Sequence, residues 1–182
     1  MATTRNTDLK GSLAARLAPF EALDACHREV VSHLQILNRL VLHLDAQGLD
    51  DQARSMAAEV VRFFNETAQQ HHAEEERVVF PPLLAGTDLD LIEHIRHLQM
   101  DHGWLEEDWK QLELQLGAVS GGYSWFDLDE LRSGSEVFTA LYHDHIALEE
   151  SLIYPEAKRL VNAEVDGLGR RLAQVKRESA RP

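Results

Sequence analysis

Residues 71–81 read HHAEEERVVFP, and residues 145–155 read HIALEESLIYP. Each stretch opens on a histidine, carries glutamates four and five residues later, and closes on a proline ten residues after the histidine. A histidine and a glutamate at i and i+4 lie on one helical face about one turn apart, so both can point into one site. Worked outward from these stretches, the 3.6-residue period continues in both directions, and two more segments of the chain carry it. No stretch shows convincing strand alternation.

The first helical segment is expected from about Pro19 to Ala46, with Gly48 at its exit. Its inward positions are Leu23, His27, Val30, Leu34, Leu37, Val41 and Leu44. The second starts near Asp50 or Asp51, either one a plausible N-cap, and runs to about Phe80, before Pro81-Pro82. Its stripe is Ala57, Val60, Phe64, Thr67, His71, Glu75 and Val78. The third runs from near Asp88 to about Leu116, before Gly117, with Ile95, Leu98, His102, Leu105, Trp109, Leu112 and Leu116 inward. The fourth runs from near Asp127 to about Val161, with Leu131, Phe138, Leu141, His145, Leu148 or Glu149, and Leu152 inward. A short fifth helix is expected over roughly 168–178. Connections are short except GAVSGGYSWFDLD, whose aromatics are expected to cover one end of the core. Four amphipathic helices with brief loops imply an all-α, up-down-up-down four-helix bundle. The domain organisation is a lead-in (1–14), the bundle (15–162) and a basic tail or short helix (163–182).

Composition narrows the functional classes. The chain has 182 residues, enough for one domain, and no apolar run long enough to span a membrane. Formal net charge is −13, which argues against nucleic acid or an anionic membrane surface as partners. Seven of the 18 basic residues lie from Lys158 onward, in what reads as a solvated tail. Cys26 is the only cysteine, which excludes internal disulfides and thiolate metal cages and reads as a small buried hydrophobe. The N-terminus carries no signal-peptide pattern, so a cytoplasmic location is expected.

Each of the four stripes holds one histidine where a bundle normally places Leu or Val. Four buried neutral imidazoles would each need hydrogen-bond partners or cost about 1–3 kcal/mol, and a metal resolves that cost by taking the lone pairs. His27 and His102 are 75 residues apart; His71 and His145, Glu75 and Glu149, and Pro81 and Pro155 are each 74 apart. The chain therefore reads as two helical hairpins, each supplying His and then HxxxE. Six inward groups exceed the needs of one tetrahedral ion and suit two ions that share bridging carboxylates. The N/O donor set favours two iron ions, with zinc or manganese as substitutes. It is not the Glu-x-x-His pattern of ferritin-like bundles. Two registers are open in HHAEEERVVFP, and the stripe favours His71 with Glu75. His72 sits about 100° away from it and is expected to be a flanking group, as are Glu76 and Glu150. His33, His43, His94, His97 and His143 fall off the stripes and are read as surface residues.

Together, ACHREV around His27, HHAEEERVVFP, MDHGW around His102 and HIALEESLIYP resemble the hemerythrin-like, or HHE cation-binding, family. The resemblance covers roughly residues 15–162. It implies a non-haem, oxo- or carboxylate-bridged di-iron centre in a four-helix bundle. His27, His71, His102 and His145 would be terminal ligands, and Glu75 and Glu149 would bridge. It implies binding or sensing of a small oxidant (O2, NO or peroxide). The alternatives are a redox enzyme turning over peroxide or NO or repairing iron–sulfur clusters, or a non-redox iron reservoir. One feature departs from the oxygen-carrying members, which place a second histidine four residues from the first on the third helix. Here those positions are Leu98 and Glu106. Glu106, water or an open position would complete the coordination.

Overall fold

The structure is a computed structural model and describes residues 4–178. The outermost parts of the expected lead-in (1–3) and tail (179–182) lie outside the described residues. Four helices follow one another: Thr4–Gln47, residues 51–84, Leu89–Gly121 and residues 128–178. First packs on second, second on third, third on fourth and fourth on first. Their connections are only a few residues long, so neighbours around this ring run antiparallel, as the sequence predicts. No helix among the described residues is long and apolar enough to cross a membrane.

Helix starts are written into the sequence by three aspartates. Asp50 accepts from the Ala53 amide at 2.8 Å, Asp88 from Leu91 at 3.2 Å, and Asp127 from Asp129 and Glu130 at 2.9 and 3.0 Å. Each satisfies amides that a helix leaves unpaired in its first turn. Gly48 and Gly122 follow the first and third helices at φ of 78° and 77°, the left-handed conformation that side-chain-bearing residues rarely adopt.

Helix ends differ from the sequence expectation wherever packing continues past a breaker. The first helix begins at Thr4 rather than near Pro19; Leu17 packs with the apolar cluster that includes Phe20 and Leu23, which extends the packed face upstream. The third runs through Gly117 to Gly121, because Leu116, Ala118 and Val119 are all buried. The fourth is continuous from Leu128 to Glu178, so residues 168–178 belong to it rather than to a separate fifth helix. In the loop before it, only Phe126 packs on the core, while Tyr123 and Trp125 stay exposed.

The second and fourth helices contain π turns, in which the amide bonds five residues back instead of four. They occupy Phe64–Ala68, Glu75–Val79 and Glu149–Ile153. The last two precede Pro81 and Pro155 and begin at the two stripe glutamates. The Phe80 amide bonds the Glu75 carbonyl, and the Tyr154 amide bonds the Glu149 carbonyl. A proline lacks its own amide and crowds the carbonyl four residues back, and here that carbonyl belongs to the widened turn. The helices therefore pass through their prolines, and the second continues to Leu84 rather than stopping at Phe80.

Each π turn adds one residue and shifts the stripe that follows. Ala68 is buried and Thr67 only partly so; Val79 is buried, and Val78 is 39% exposed. The fourth helix likewise buries Ile153 and Tyr154 together, with Leu152 at the margin. Ahead of its π turn, Tyr142 rather than Leu141 takes the inward slot, its ring packed edge-on against Phe138. The first and third helices have no π turn, and every stripe residue expected of them is buried.

The buried residues form two separate apolar clusters. One contains Leu34, Leu37, Val60, Phe64, Trp109, Leu116 and Phe138. The other contains Phe20, Phe80, Leu83, Ile95, Leu98, Ile153 and Tyr154. On every helix the inward histidine lies between residues of one cluster and residues of the other, so a polar layer separates two apolar ones. The Asp127 cap lies remote from that layer. Asp127→Ala should cost about 1 kcal/mol and lower the melting temperature by roughly 2–4 °C, read by circular dichroism, with no effect on metal binding.

Candidate metal centre

The polar layer contains His27, His71, Glu75, His102, His145 and Glu149, all buried, with both glutamates at 0% exposure. The structure thus brings all six sequence-predicted residues together. They form two sets. His27, His71, Glu75 and Glu149 offer donor atoms within 4.8 Å of one another, and so do Glu75, His102, His145 and Glu149. Both glutamates belong to both sets. Glu75 turns Oε1 to His71 Nε2 at 3.3 Å and Oε2 to His102 Nε2 at 3.5 Å. Glu149 turns Oε2 to His27 Nε2 at 3.1 Å and Oε1 to His145 Nε2 at 3.3 Å. Each carboxylate therefore spans the two histidine pairs, one oxygen to each.

Most of these atoms have no hydrogen bond. The Nε2 atoms of His71, His102 and His145, Glu75 Oε2 and both Glu149 oxygens are buried and unpartnered. So many buried polar atoms without a hydrogen-bond partner, converging on two points, fit a site that binds cations. The donor set is nitrogen and oxygen only, which fits iron, manganese or zinc.

Surrounding groups orient the imidazoles. His27 Nδ1 donates to Glu150 at 3.0 Å, and His102 Nδ1 donates to Glu76 at 2.8 Å. A carboxylate can only accept, so the proton sits on Nδ1 and the Nε2 lone pair faces the cluster. Glu76 and Glu150 were expected as flanking groups, and this is the contact they make. Phe80 stacks on His102 and Tyr154 on His27, at interplanar angles of 15° and 9°. The Tyr154 hydroxyl donates to Glu75 Oε1 and lies 3.2 Å from His27 Nε2. His145 Nδ1 faces Asp101 at 3.7 Å, whereas His71 Nδ1 has no partner.

Electrostatics follow from burial and from the two carboxylates. Burial, then the neighbouring Glu149, raises the Glu75 carboxyl to about 7. Burial also opposes ionisation of Glu149, but His145 and His27 outweigh it and hold that carboxyl well below the usual range. Burial and the nearby His27 push His71 down to about 3. For His145, burial is outweighed by Asp101 and Glu149, which raise it to about 9. Burial, then Glu29 and Glu75, pushes the Cys26 thiol up to about 12, so it stays protonated and inert.

Other histidines divide. His94, His97 and His143 are exposed, as expected. His33 stacks on Phe63 with ring centroids 3.8 Å apart. His43 is buried rather than solvated, because it bonds the Asp50 cap at 2.9 Å. Glu106 is 60% exposed, pairs with Lys110 at 3.2 Å and lies outside both donor sets. The larger departure is His72. Its Nε2 is buried and unpartnered, and with His102 and His145 it forms a third group of converging donors. The period of an unbroken helix puts residue 72 off the stripe; the π turn at Phe64–Ala68 turns it inward. No signal in the sequence marks that turn.

Two openings reach the cluster. A cavity of about 390 Å³ is lined by His72, Glu76, His102, Glu106, Trp109 and Tyr142. A mostly apolar groove of about 640 Å³ runs past Phe20, Leu23, Cys26, His71, Val78 and Ala157. One reaches the His102 side of the centre and the other the His71 side.

Comparison with known proteins agrees with this geometry. The Hemerythrin HHE cation binding domain matches residues 18–157. An uncharacterized protein of Haemophilus influenzae is 31% identical over 139 residues, covering 74% of this chain and 76% of its own. No solved structure matches the chain significantly. The matched span takes in the second and third helices whole, most of the first and fourth, and every residue of the buried His/Glu cluster, and the chain belongs to the hemerythrin HHE cation-binding domain family.

Proposed function

We propose that the chain is a non-haem di-iron protein that binds or senses a small oxidant such as O2, NO or peroxide. The observation that carries this reading is the placement of Glu75 and Glu149. Each directs one oxygen toward each histidine pair, as carboxylates bridging two ions do. His27 and His71 would hold one ion, and His102 and His145 the other. A pair of iron ions supplies the redox chemistry when bound, and the protein supplies orientation and surroundings. Glu76 and Glu150 hold the Nδ1 protons, which leaves the Nε2 lone pairs free. Phe80 and Tyr154 shield the ring faces of His102 and His27. The Tyr154 hydroxyl holds its proton against Glu75 Oε1, since burial and the two glutamates raise its pKa far above that of a free phenol. The apolar lining of the larger groove favours a weakly polar ligand over a charged one.

The deciding experiment is metal analysis and an optical spectrum of protein purified in air. It is followed by anaerobic titration with O2, NO and peroxide. Two irons per chain with near-ultraviolet oxo-bridge absorption are expected. One ion or fewer in folded, fully loaded protein sinks the dinuclear reading. Colourless zinc protein sinks the redox reading, and an iron spectrum that none of the three oxidants perturbs leaves a reservoir. Chelation should lower thermal stability, because each ion binds only the folded site; at a hundredfold excess over Kd an ion contributes about 2.7 kcal/mol.

Glu75→Gln separates stability from function. The glutamine removes a carboxylate that burial and Glu149 disfavour, so the metal-free variant should melt at or above the wild-type temperature. It should also lose most of the stabilisation that metal gives the wild type. Calorimetry with and without metal reads both, and an unchanged metal-dependent shift rules out a bridging role. Glu150→Ala and Glu76→Ala remove the acceptors behind His27 and His102. Each should weaken one ion by roughly 10–100-fold, the usual cost of losing such a support. Isothermal titration with one clearly weakened and one unchanged site would match.

A further inference from the structure

The third helix carries a second stripe, on the side away from the core. The helix has no π turn to shift its phase, so positions opposite the buried stripe stay in line from Leu89 to Leu114. Steps of four and three alternate along this side, and every position on it is exposed. Read from either end, the order is a leucine, then two residues of opposite charge, then Met100 from one end and Gly103 from the other. We propose that two copies of the chain pair through this face, third helix against third helix, antiparallel about a two-fold axis at the level of residues 101–102. In that register Leu89 faces Leu114, Glu93 faces Lys110, Arg96 faces Glu107 and Met100 faces Gly103. Each contact is made twice, as a two-fold interface requires. Alternating steps of three and four are the spacing at which one helix seats against another.

Three observations carry the proposal. The first is exposed apolar surface in line: Leu89 is 76% exposed, Met100 52% and Leu114 67%, with Trp104 half-exposed beside Met100. Single exposed apolar residues are ordinary, but a row of them at packing spacing marks an interaction surface.

The second is charge. The stripe holds two acids and two bases, a net charge of zero, in a chain whose net charge is −13. An acidic surface repels a second copy of itself; this face does not. Opposite signs meet at every charged contact of the antiparallel register. Among the described residues neither Glu93 nor Arg96 has an ion-pair partner within the chain. Lys110 lies 3.2 Å from Glu106 and 3.7 Å from Glu107 along its own helix, exposed pairs that hold it only weakly.

The third is Gly103. A side chain placed there would meet nothing within 4 Å, and its φ is not positive, so the chain's own packing and backbone have no need of a glycine. Glycine inside a helix is destabilising relative to alanine. A second helix seated with Met100 in the notch makes use of the missing side chain. Gln99 and Gly103 also line the cavity on the His102 side, so the pairing lays the partner helix along that opening.

The test is sedimentation equilibrium of the full chain from micromolar to near-millimolar concentration. It compares wild type, Arg96→Glu, Glu107→Arg and an equimolar mixture of the two variants. Both positions are exposed, so each variant should fold like wild type by circular dichroism. Wild type should reach a dimer and stop there. Arg96→Glu sets acid against acid and Glu107→Arg sets base against base, so each alone should associate roughly tenfold or more weakly. Mixed, the two variants match opposite signs at both contacts and should pair with each other about as tightly as wild type does. A wild type that stays monomeric, grows beyond two, or dimerises as tightly after either substitution overturns the proposal. A mixture that associates no better than its components overturns it too. Should either variant fail to fold, Glu93→Lys and Lys110→Glu make the same comparison at the neighbouring contact. Metal content, measured on the same samples, tests the dinuclear reading separately, and neither result depends on the other.

Discussion

Two carboxylates buried side by side repel each other, and Glu75 and Glu149 share one closed layer at 0% exposure. Nothing apolar can satisfy them. Charge of the opposite sign must lie between them, or one of them must give up its charge. His145 and His27 supply such charge to Glu149, while burial and that neighbouring carboxylate disfavour charge on Glu75, which is why the two groups respond in opposite directions, Glu75 upward and Glu149 downward. Cations placed between the two carboxylates remove the conflict for both at once. The arrangement of the remaining polar residues follows from this: Glu76, Glu150 and Asp101 stand behind the imidazoles of His102, His27 and His145.

How much of this the sequence carries depends on the regularity of each helix. A histidine in an apolar slot stands out against Leu and Val, so His27 and His102 were legible from period alone. The HxxxE spacing and its repetition 74 residues later made His71, Glu75, His145 and Glu149 legible as well. The first and third helices are regular, and their stripes are buried as read. The second and fourth are not. A π turn costs one residue of register and leaves no composition of its own, so a regular period points to Val78 and Thr67 where the structure buries Val79 and Ala68. The turn at Phe64–Ala68 likewise brings His72 beside His102 and His145, where an unbroken helix would hold it away. The prolines at 81 and 155 are the visible trace of two of these turns, but proline is more often a helix stop and does not by itself signal a π turn.

The repeat is also where the two halves of the centre part company. Cys26 corresponds to Asp101, His72 to Ile146 and Phe80 to Tyr154. Asp101 lies 3.7 Å from His145 Nδ1, while among the described residues no hydrogen bond reaches His71 Nδ1. Phe80 covers His102 with a plain ring, while Tyr154 covers His27 with a ring that also reaches Glu75. A duplicated frame thus holds two positions of unequal polarity, one beside a phenol and an apolar groove, the other beside an extra imidazole and a more polar cavity.

The separation of the apolar core into two clusters bears on how the molecule holds together as well as on what it binds. Each cluster has its own contacts and could open on its own, and cooperativity between them must cross a layer that contributes no hydrophobic contact. Ions held there would bond all four helices at one level and couple the two clusters beyond what the continuous helices and the rings stacked on His27 and His102 already do. Metal occupancy would then be expressed in the lifetime of the polypeptide, with no need for a change of shape to report it.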